Sequence, residues 1–206
     1  MIVAQRSWKI ILAAIFGGFV LGIVARLWMR WISTDPEFSW SGTIFIIMAF
    51  TFFTTTQALV YVFRRRVETR RLTSVVRSVG IFFTLVNPAV AVMFATVALA
   101  SLALWQEKMD KRGRISLLII SLIMPVRQII EIGSDFGWNV PTLGRSLLFI
   151  LIYTLVIFLL KPTFTPYVDV DSNRVPMSRD KGTLLVVLIV LFAFLYHFIT
   201  MGVSGF

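Results

Sequence analysis

Six long runs of apolar residues, separated by short polar stretches, dominate the sequence. They cover approximately residues 8–30, 42–63, 79–105, 115–133, 143–160 and 182–201. Five of them contain uncharged stretches that are long enough, or nearly so, to cross a hydrocarbon core of about 30 Å as a helix of about 20 residues. The pattern predicts an all-α, polytopic transmembrane helix bundle that forms a single integral membrane domain over residues 1–206.

The composition of the chain also favours a membrane location. Apolar residues make up 58% and charged residues 15% of the chain, whereas soluble domains carry roughly 25% charged residues. The net charge of +10 comes from basic residues mostly outside the apolar runs, which favours contact with anionic lipid headgroups over nucleic-acid binding. Cysteine is absent and His197 is the only histidine, so the sequence predicts neither a metal site nor a cofactor.

The first apolar segment resembles a signal peptide because it follows Arg6 and Lys9. It is longer than a usual signal-peptide core, and no clear cleavage site precedes the next polar stretch. We therefore expect a retained signal-anchor helix with a cytoplasmic N-terminus. The expected location is the bacterial inner (plasma) membrane.

The distribution of basic residues allows two topologies. Six spans that start from a cytoplasmic N-terminus leave nine basic residues on the inner side and ten on the outer side, so the usual positive-inside bias is lost. If segment 79–105 instead enters and leaves on the same side, sixteen basic residues lie inside and three outside. An ordinary kinked span is the usual form of so apolar a segment. Six spans, and five spans plus a re-entrant segment at 79–105, both stay open.

A proline lies near the middle of segment 79–105, in the sequence Asn87-Pro88-Ala89-Val90. This sequence resembles the signature of aquaporins, in which re-entrant half-helices begin at Asn-Pro-Ala, and the resemblance implies a channel. It covers four residues: aquaporins have two such motifs, this chain has one, and residues 83–86 differ from the usual leading residues. A proline kink in an ordinary helix accounts for the same residues, because proline removes a helical hydrogen bond.

Five polar side chains in or beside the apolar segments are candidates for function. They are Gln57, Asn87, Arg127, Glu131 and His197. A charge near the bilayer centre costs several kcal/mol, so such a residue is expected to face the protein interior. Arg127 and Glu131 are four residues apart and can pair on one helix face. They form either part of a gate or ion-coupling site, or a self-neutralising pair near the interface.

Other residues are predicted to contact neighbouring helices or lipid. The first segment carries Ala14, Gly18 and Gly22 at four-residue spacing, and such a stripe allows close approach of a second helix, within the chain or between chains. The threonine-rich run 51–57 either bonds back to its own helix or forms the hydrophilic wall of a pathway. Basic residues after the second segment are predicted to meet anionic headgroups; these are Arg64, Arg65, Arg66, Arg70 and Arg71.

The sequence lacks the motifs of common enzyme classes, such as the His-Glu-x-x-His zinc motif and the glycine-rich phosphate loop. We therefore expect a non-catalytic integral membrane protein. The preferred interpretation is an accessory or assembly subunit of a larger membrane complex, with other membrane subunits or further copies of this chain as partners. The alternative is a small transporter or channel subunit whose polar path is lined by the five candidate residues.

Overall fold

All the secondary structure that the computed structural model describes is helical. The described residues are 2–34, 38–66, 75, 78–81, 94–106 and 109–165, and no strand occurs among them. The helices are α1 (Ile2–Trp31), α2 (Trp40–Arg66), α3 (Phe94–Trp105), α4 (Lys111–Ser121), α5 (Ile123–Phe136), α6 (Val140–Leu159) and α7 (Lys161–Phe164). A further short helical piece covers residues 78–81.

Four stretches of helix are long and apolar enough to cross a membrane. They are Ser7–Trp31, Trp40–Arg64, Lys111–Phe136 and Val140–Leu159, and they correspond to four of the six predicted segments. The all-α prediction is confirmed for the described residues, and the four helices are compatible with a membrane location. Six spans are not confirmed, because segment 182–201 lies outside the described residues and segment 79–105 is described only at 79–81 and 94–105.

α1 and α2 form a closely packed antiparallel hairpin. A Cβ atom built on Gly18 would lie 2.7 Å from the Cα atom of Thr51, and one built on Gly22 would lie 2.7 Å from the Cα atom of Ile47. Both distances are far below van der Waals contact between carbon atoms, which begins at about 3.5 Å. The two backbones therefore approach this closely only because α1 has glycine at both positions.

The helices define two ends of the bundle, which we name the Trp28 end and the Arg64 end. At the Trp28 end, Trp28 Nε1 donates to the carbonyl of Arg145 at 3.0 Å, and its ring stacks on Phe149 with a centroid distance of 5.2 Å. At the Arg64 end, the Arg64 guanidinium donates to the carbonyl of Pro162. α6 therefore starts beside the end of α1 and finishes beside the end of α2.

α3 lies in the centre of the bundle. Every residue of Thr96–Ala103 is buried. Trp105 Nε1 donates to the carbonyl of Ile157 at 3.3 Å, and Gln106 Nε2 donates to the carbonyl of Phe164 at 3.4 Å. The C-terminus of α3 therefore lies at the Arg64 end.

The continuous stretch α4–α5 runs between the two ends. Near its start, an N–H of the Arg114 guanidinium donates to the carbonyl of Gln106 at 3.1 Å, at the Arg64 end. Near its finish, the guanidinium carbon of Arg145 lies 3.9 Å from the ring centroid of Phe136, at the Trp28 end. α4–α5 is therefore antiparallel to α6.

A proline interrupts α4–α5 and creates a contact with α6. Pro125 has no N–H, so the carbonyl of Ser121 lacks its usual donor one turn later, and the regular helix breaks at Leu122. The hydroxyl of Tyr153 donates to this carbonyl at 3.1 Å and is also hydrogen-bonded to the side chain of Thr96. α3, α4 and α6 therefore meet in a buried group of hydrogen bonds.

The helical structure does not stop where the predicted segment 143–160 ends. Instead, α7 follows α6 directly and covers Lys161–Phe164. Pro162 lies in the first turn of α7, where its missing N–H would have no helical acceptor and its fixed φ suits the helix. The proline therefore ends one helix and starts another.

Candidate functional site

Arg127 and Glu131 form an ion pair on α5. The Nε atom of Arg127 lies 2.8 Å from the Oε1 atom of Glu131, and the two side chains are 58% and 45% exposed. Within the described part of the chain this is the one hydrogen bond of the Arg127 guanidinium, which has five N–H donors. The pair therefore keeps most of its hydrogen-bonding capacity for a neighbour.

The pair lies on the outward face of α5, not in the bundle interior where the sequence analysis expected charged residues. The buried residues of α5 are Pro125, Ile132 and Gly133. At 3.6 residues per turn these three positions lie on the opposite side of the helix from Arg127 and Glu131. The contact of α5 with the bundle therefore turns the ion pair outward.

An apolar cavity of about 660 Å³ adjoins the ion pair. Its walls come from α4 and α5, and the apolar lining residues are Ile119, Leu122, Ile123, Val126 and Ile130. The outward face of α4–α5 therefore combines an apolar groove with a single charged pair at its side.

Gln57 lies in different surroundings, in a buried polar contact towards the Arg64 end. Its side chain is 2% exposed; its Oε1 atom accepts from the hydroxyl of Thr163 at 2.6 Å, and its Nε2 atom donates to the carbonyl of Gly80 at 3.5 Å. This amide joins α2, α7 and residues 78–81. The structure does not bring Gln57 together with Arg127 or Glu131.

The threonine-rich part of α2 is bonded to its own helix. The hydroxyls of Thr51, Thr55 and Thr56 donate to the carbonyls of Ile47, Thr51 and Phe52 at 2.8, 2.7 and 2.8 Å. Such bonds satisfy the hydroxyl donors locally and leave the methyl groups at the helix surface. Of the two alternatives for this run, back-bonding is the one observed at Thr51, Thr55 and Thr56.

The small residues of α1 lie against α2. The carbonyl of Ala14 accepts a hydrogen bond from the Thr54 hydroxyl at 2.7 Å, next to the close approaches at Gly18 and Gly22. Gly17, on another side of α1, has no atom within 4 Å of an added Cβ. The stripe therefore makes a contact within the chain.

Basic side chains gather at the Arg64 end. Those described are Lys9, Arg64, Lys111, Arg112, Arg114 and Lys161. The ammonium of Lys161 lies 4.7 Å from the ring centroid of Trp105, a cation–π distance. The side chains of Arg65 and Arg66, and all of Arg70 and Arg71, lie outside what the structure describes, so contact of these residues with lipid headgroups stays a prediction.

Two side chains that the sequence analysis passed over hold polar contacts. Tyr153 satisfies the carbonyl freed by Pro125, and the Arg145 guanidinium lies between the rings of Phe136 and Trp31, at 3.9 and 5.7 Å from their centroids. The signal for Tyr153 was Pro125 itself, because a proline within a helix leaves a carbonyl that needs a donor. No comparable signal marks Arg145.

The remaining candidates, Asn87 and His197, lie outside the described residues. In the ranges that the structure describes, no group of three or more His, Cys, Asp or Glu side chains is placed to hold a metal ion. Comparisons of this chain with protein-family models, with curated proteins and with solved structures found no match.

Proposed function

We propose that this chain is a non-catalytic integral membrane protein that acts as an accessory or assembly subunit of a larger membrane complex. A transmembrane helix of another membrane protein packs side chains into the apolar groove on the outward face of α4–α5 and hydrogen-bonds to Arg127 and Glu131. The observation that supports this proposal is an ion pair that is about half exposed on a candidate membrane span.

The position of the pair along the span makes exposure to lipid unfavourable. Arg127 lies nine residues before Phe136 and sixteen after Lys111, or about 14 Å and 24 Å along a helix. A hydrocarbon core of about 30 Å centred on this span includes both Arg127 and Glu131 and ends near Gly133. Charged side chains cost about 2.5–3.5 kcal/mol at the centre of a membrane helix, so they usually face protein. A partner helix with a hydroxyl, amide or carboxyl group would shield the pair from lipid.

The packing of the bundle interior favours a structural role over transport. Phe50, Phe53 and Phe149 are almost completely buried, and the polar groups of Gln57 are bonded to Thr163 and Gly80. A transport path lined by both Gln57 and the ion pair would need both to face the same cavity. Gln57 is buried, whereas the ion pair faces outward. The transporter alternative can be tested directly, because it predicts that Glu131→Gln abolishes flux while expression is unchanged.

Photo-cross-linking tests the subunit proposal. A photoreactive amino acid replaces Val126, which is 50% exposed beside the ion pair, and the matched control replaces Leu151, which is 63% exposed on α6. In cells at native expression, we expect position 126 to give an adduct with a different membrane protein and position 151 to give little.

Each other outcome of this cross-linking contradicts the proposed partner. An adduct of twice the chain mass identifies a second copy of this chain. A cross-link to the segment 182–201 of the same chain, or to lipid alone, means that no other subunit covers α4–α5.

We also propose a topology of five spans and one re-entrant segment, with the Arg64 end in the cytoplasm. α2 and α3 both finish at the Arg64 end, which favours a return of the intervening chain to the side where it began. Basic side chains favour the same orientation: the Arg64 end has six described ones, and the Trp28 end has Arg26, Arg30 and Arg145. Segment 182–201 supplies the fifth span by its length and lack of charge.

Cysteine labelling in this cysteine-free chain separates the two topologies. With a membrane-impermeant reagent on intact cells, the re-entrant topology predicts labelling of Trp138→Cys but of Gly113→Cys only after permeabilisation. Six simple spans predict the reverse for both positions. Thr34→Cys, in the first connection, lies outside in both topologies and serves as the control.

A further inference from the structure

A second groove runs along α2, and its walls come from α1, α2 and residues 75 and 79. It encloses about 510 Å³, within the range of small-molecule pockets of about 300–1,000 Å³. Its apolar lining includes Ile15, Met48, Leu59, Phe63, Val75 and Val79. None of these residues lines the cavity beside Arg127, so the groove is separate from the proposed partner site.

The shape and chemistry of this groove suit a long apolar chain. Met48 and Phe63 line it and are fifteen residues apart, so the groove follows α2 for about 22 Å at 1.5 Å per residue. Thr51 and Thr55 also line it, but their hydroxyl protons are used by carbonyls of their own helix. A packed helix is about 10 Å across, and a cavity of 510 Å³ over that length is too narrow for one. A single hydrocarbon chain is the better match.

The charge at one end of the groove indicates which headgroup a hydrocarbon chain bound there would carry. The groove finishes at Phe63, and the next three residues of α2 are arginines, Arg64–Arg66. Basic residues at a membrane surface attract anionic headgroups. A chain in this groove therefore has its headgroup beside positive charge.

We propose that the groove along α2 binds one acyl chain of an anionic phospholipid, with the phosphate of its headgroup at Arg64–Arg66. This inference needs the membrane location of α2 but does not depend on a partner at α4–α5. If no lipid bound in the groove, the photo-cross-linking result at position 126 would be unchanged. If that cross-link were absent, lipid binding in the groove would likewise be unchanged.

Native mass measurement of the full-length protein in mild detergent tests the proposal. The protein is stripped of lipid and titrated with phosphatidylglycerol or phosphatidylcholine that carry the same acyl chains. We expect one phosphatidylglycerol molecule to bind with a preference of at least about fivefold, because a basic residue near an anionic surface contributes about 1 kcal/mol. Glycerol phosphate, which has no chain, and diacylglycerol, which has no phosphate, should each bind more weakly than the intact lipid.

Variants assign the bound lipid to this groove. Leu59→Trp and Val79→Trp fill the groove from its two walls and should each abolish the tightly bound lipid, while Leu151→Trp on α6 should retain it. Arg65→Gln/Arg66→Gln should weaken phosphatidylglycerol up to about 25-fold and phosphatidylcholine less, because the choline cation offsets the charge of its phosphate; Arg64 is kept because it bonds to Pro162. Equal binding of the two lipids, or full retention by both groove-filling variants, would overturn the proposal.

Discussion

α3 and α4–α5 are both strongly apolar, yet they occupy opposite environments. Every residue of Thr96–Ala103 in α3 is buried. In Lys111–Phe136, only 17% of the most apolar 18-residue stretch is buried. The buried part of α3 is rich in alanine, serine and threonine, and the exposed surface of α4–α5 is mostly isoleucine, leucine and valine. Small side chains let helices approach closely. Side-chain size therefore separates interior from outward helices where hydropathy does not.

The hairpin of α1 and α2 extends the same lesson to single positions. Gly18 and Gly22 lie against the backbone of α2, and Gly17 beside them does not. An apolar helix therefore has an inner face that tolerates no added atoms and an outer face that tolerates many. The following substitutions test how sharply these two kinds of surface differ.

The largest effect is expected at the inner face of α1. Gly18→Ala places a Cβ on the Thr54 hydroxyl and 2.7 Å from the Thr51 Cα, and a backbone atom cannot be moved by a change of rotamer. We expect a loss of about 2–3 kcal/mol in the free energy of unfolding, as is typical of overpacking. Unfolding in mixed detergent micelles, followed by circular dichroism, measures this loss.

Gly17→Ala is the matched control for Gly18→Ala. It adds the same methyl group one residue away, where no atom lies within 4 Å, and alanine stabilises a helix interior by up to about 1 kcal/mol relative to glycine. We therefore expect unchanged or increased stability. Equal destabilisation by the two substitutions would contradict the packing of α1 on α2.

An intermediate effect is expected where α6 meets the break in α4–α5. Tyr153→Phe leaves the Ser121 carbonyl without the donor it has at 3.1 Å, which should cost about 1 kcal/mol of the free energy of unfolding. Pro125→Ala restores an N–H to the helix, so the same Tyr153→Phe change should cost less in that background. A double-mutant cycle measures the coupling. An equal cost in both backgrounds would mean that Tyr153 acts mainly through Thr96.

The four candidate spans were predictable from the sequence because a helix able to cross a membrane is recognised by composition over about 20 residues. Segment 143–160, for example, corresponds to Val140–Leu159, with Asn139 capping its first turn. The arrangement of segment 79–105 was harder. Hydropathy alone favours a membrane span for this segment. The distribution of basic residues allowed a re-entrant segment as well, but it did not distinguish the two topologies.

The candidate site was predictable only in its local part. The spacing of Arg127 and Glu131 predicts their contact, because residues four apart share one helix face. Which way that face points depends on contacts with α6, which no pattern within α5 reveals. The contact of Tyr153 with Ser121 joins residues 32 positions apart, so it too follows from the tertiary arrangement.

The smallest effect on stability is expected at the outward face of α5. Arg127→Leu/Glu131→Leu removes a pair whose side chains are 58% and 45% exposed, so the substitution removes little of the subunit's own packing. The isolated subunit should therefore unfold almost as the wild type does, while the photo-cross-link from position 126 to the partner is lost. If this double substitution destabilised the isolated subunit as much as Gly18→Ala, the pair would belong to the subunit's own packing. A hydrogen-bonding partner would then not be needed to explain why a charged pair lies on an apolar span.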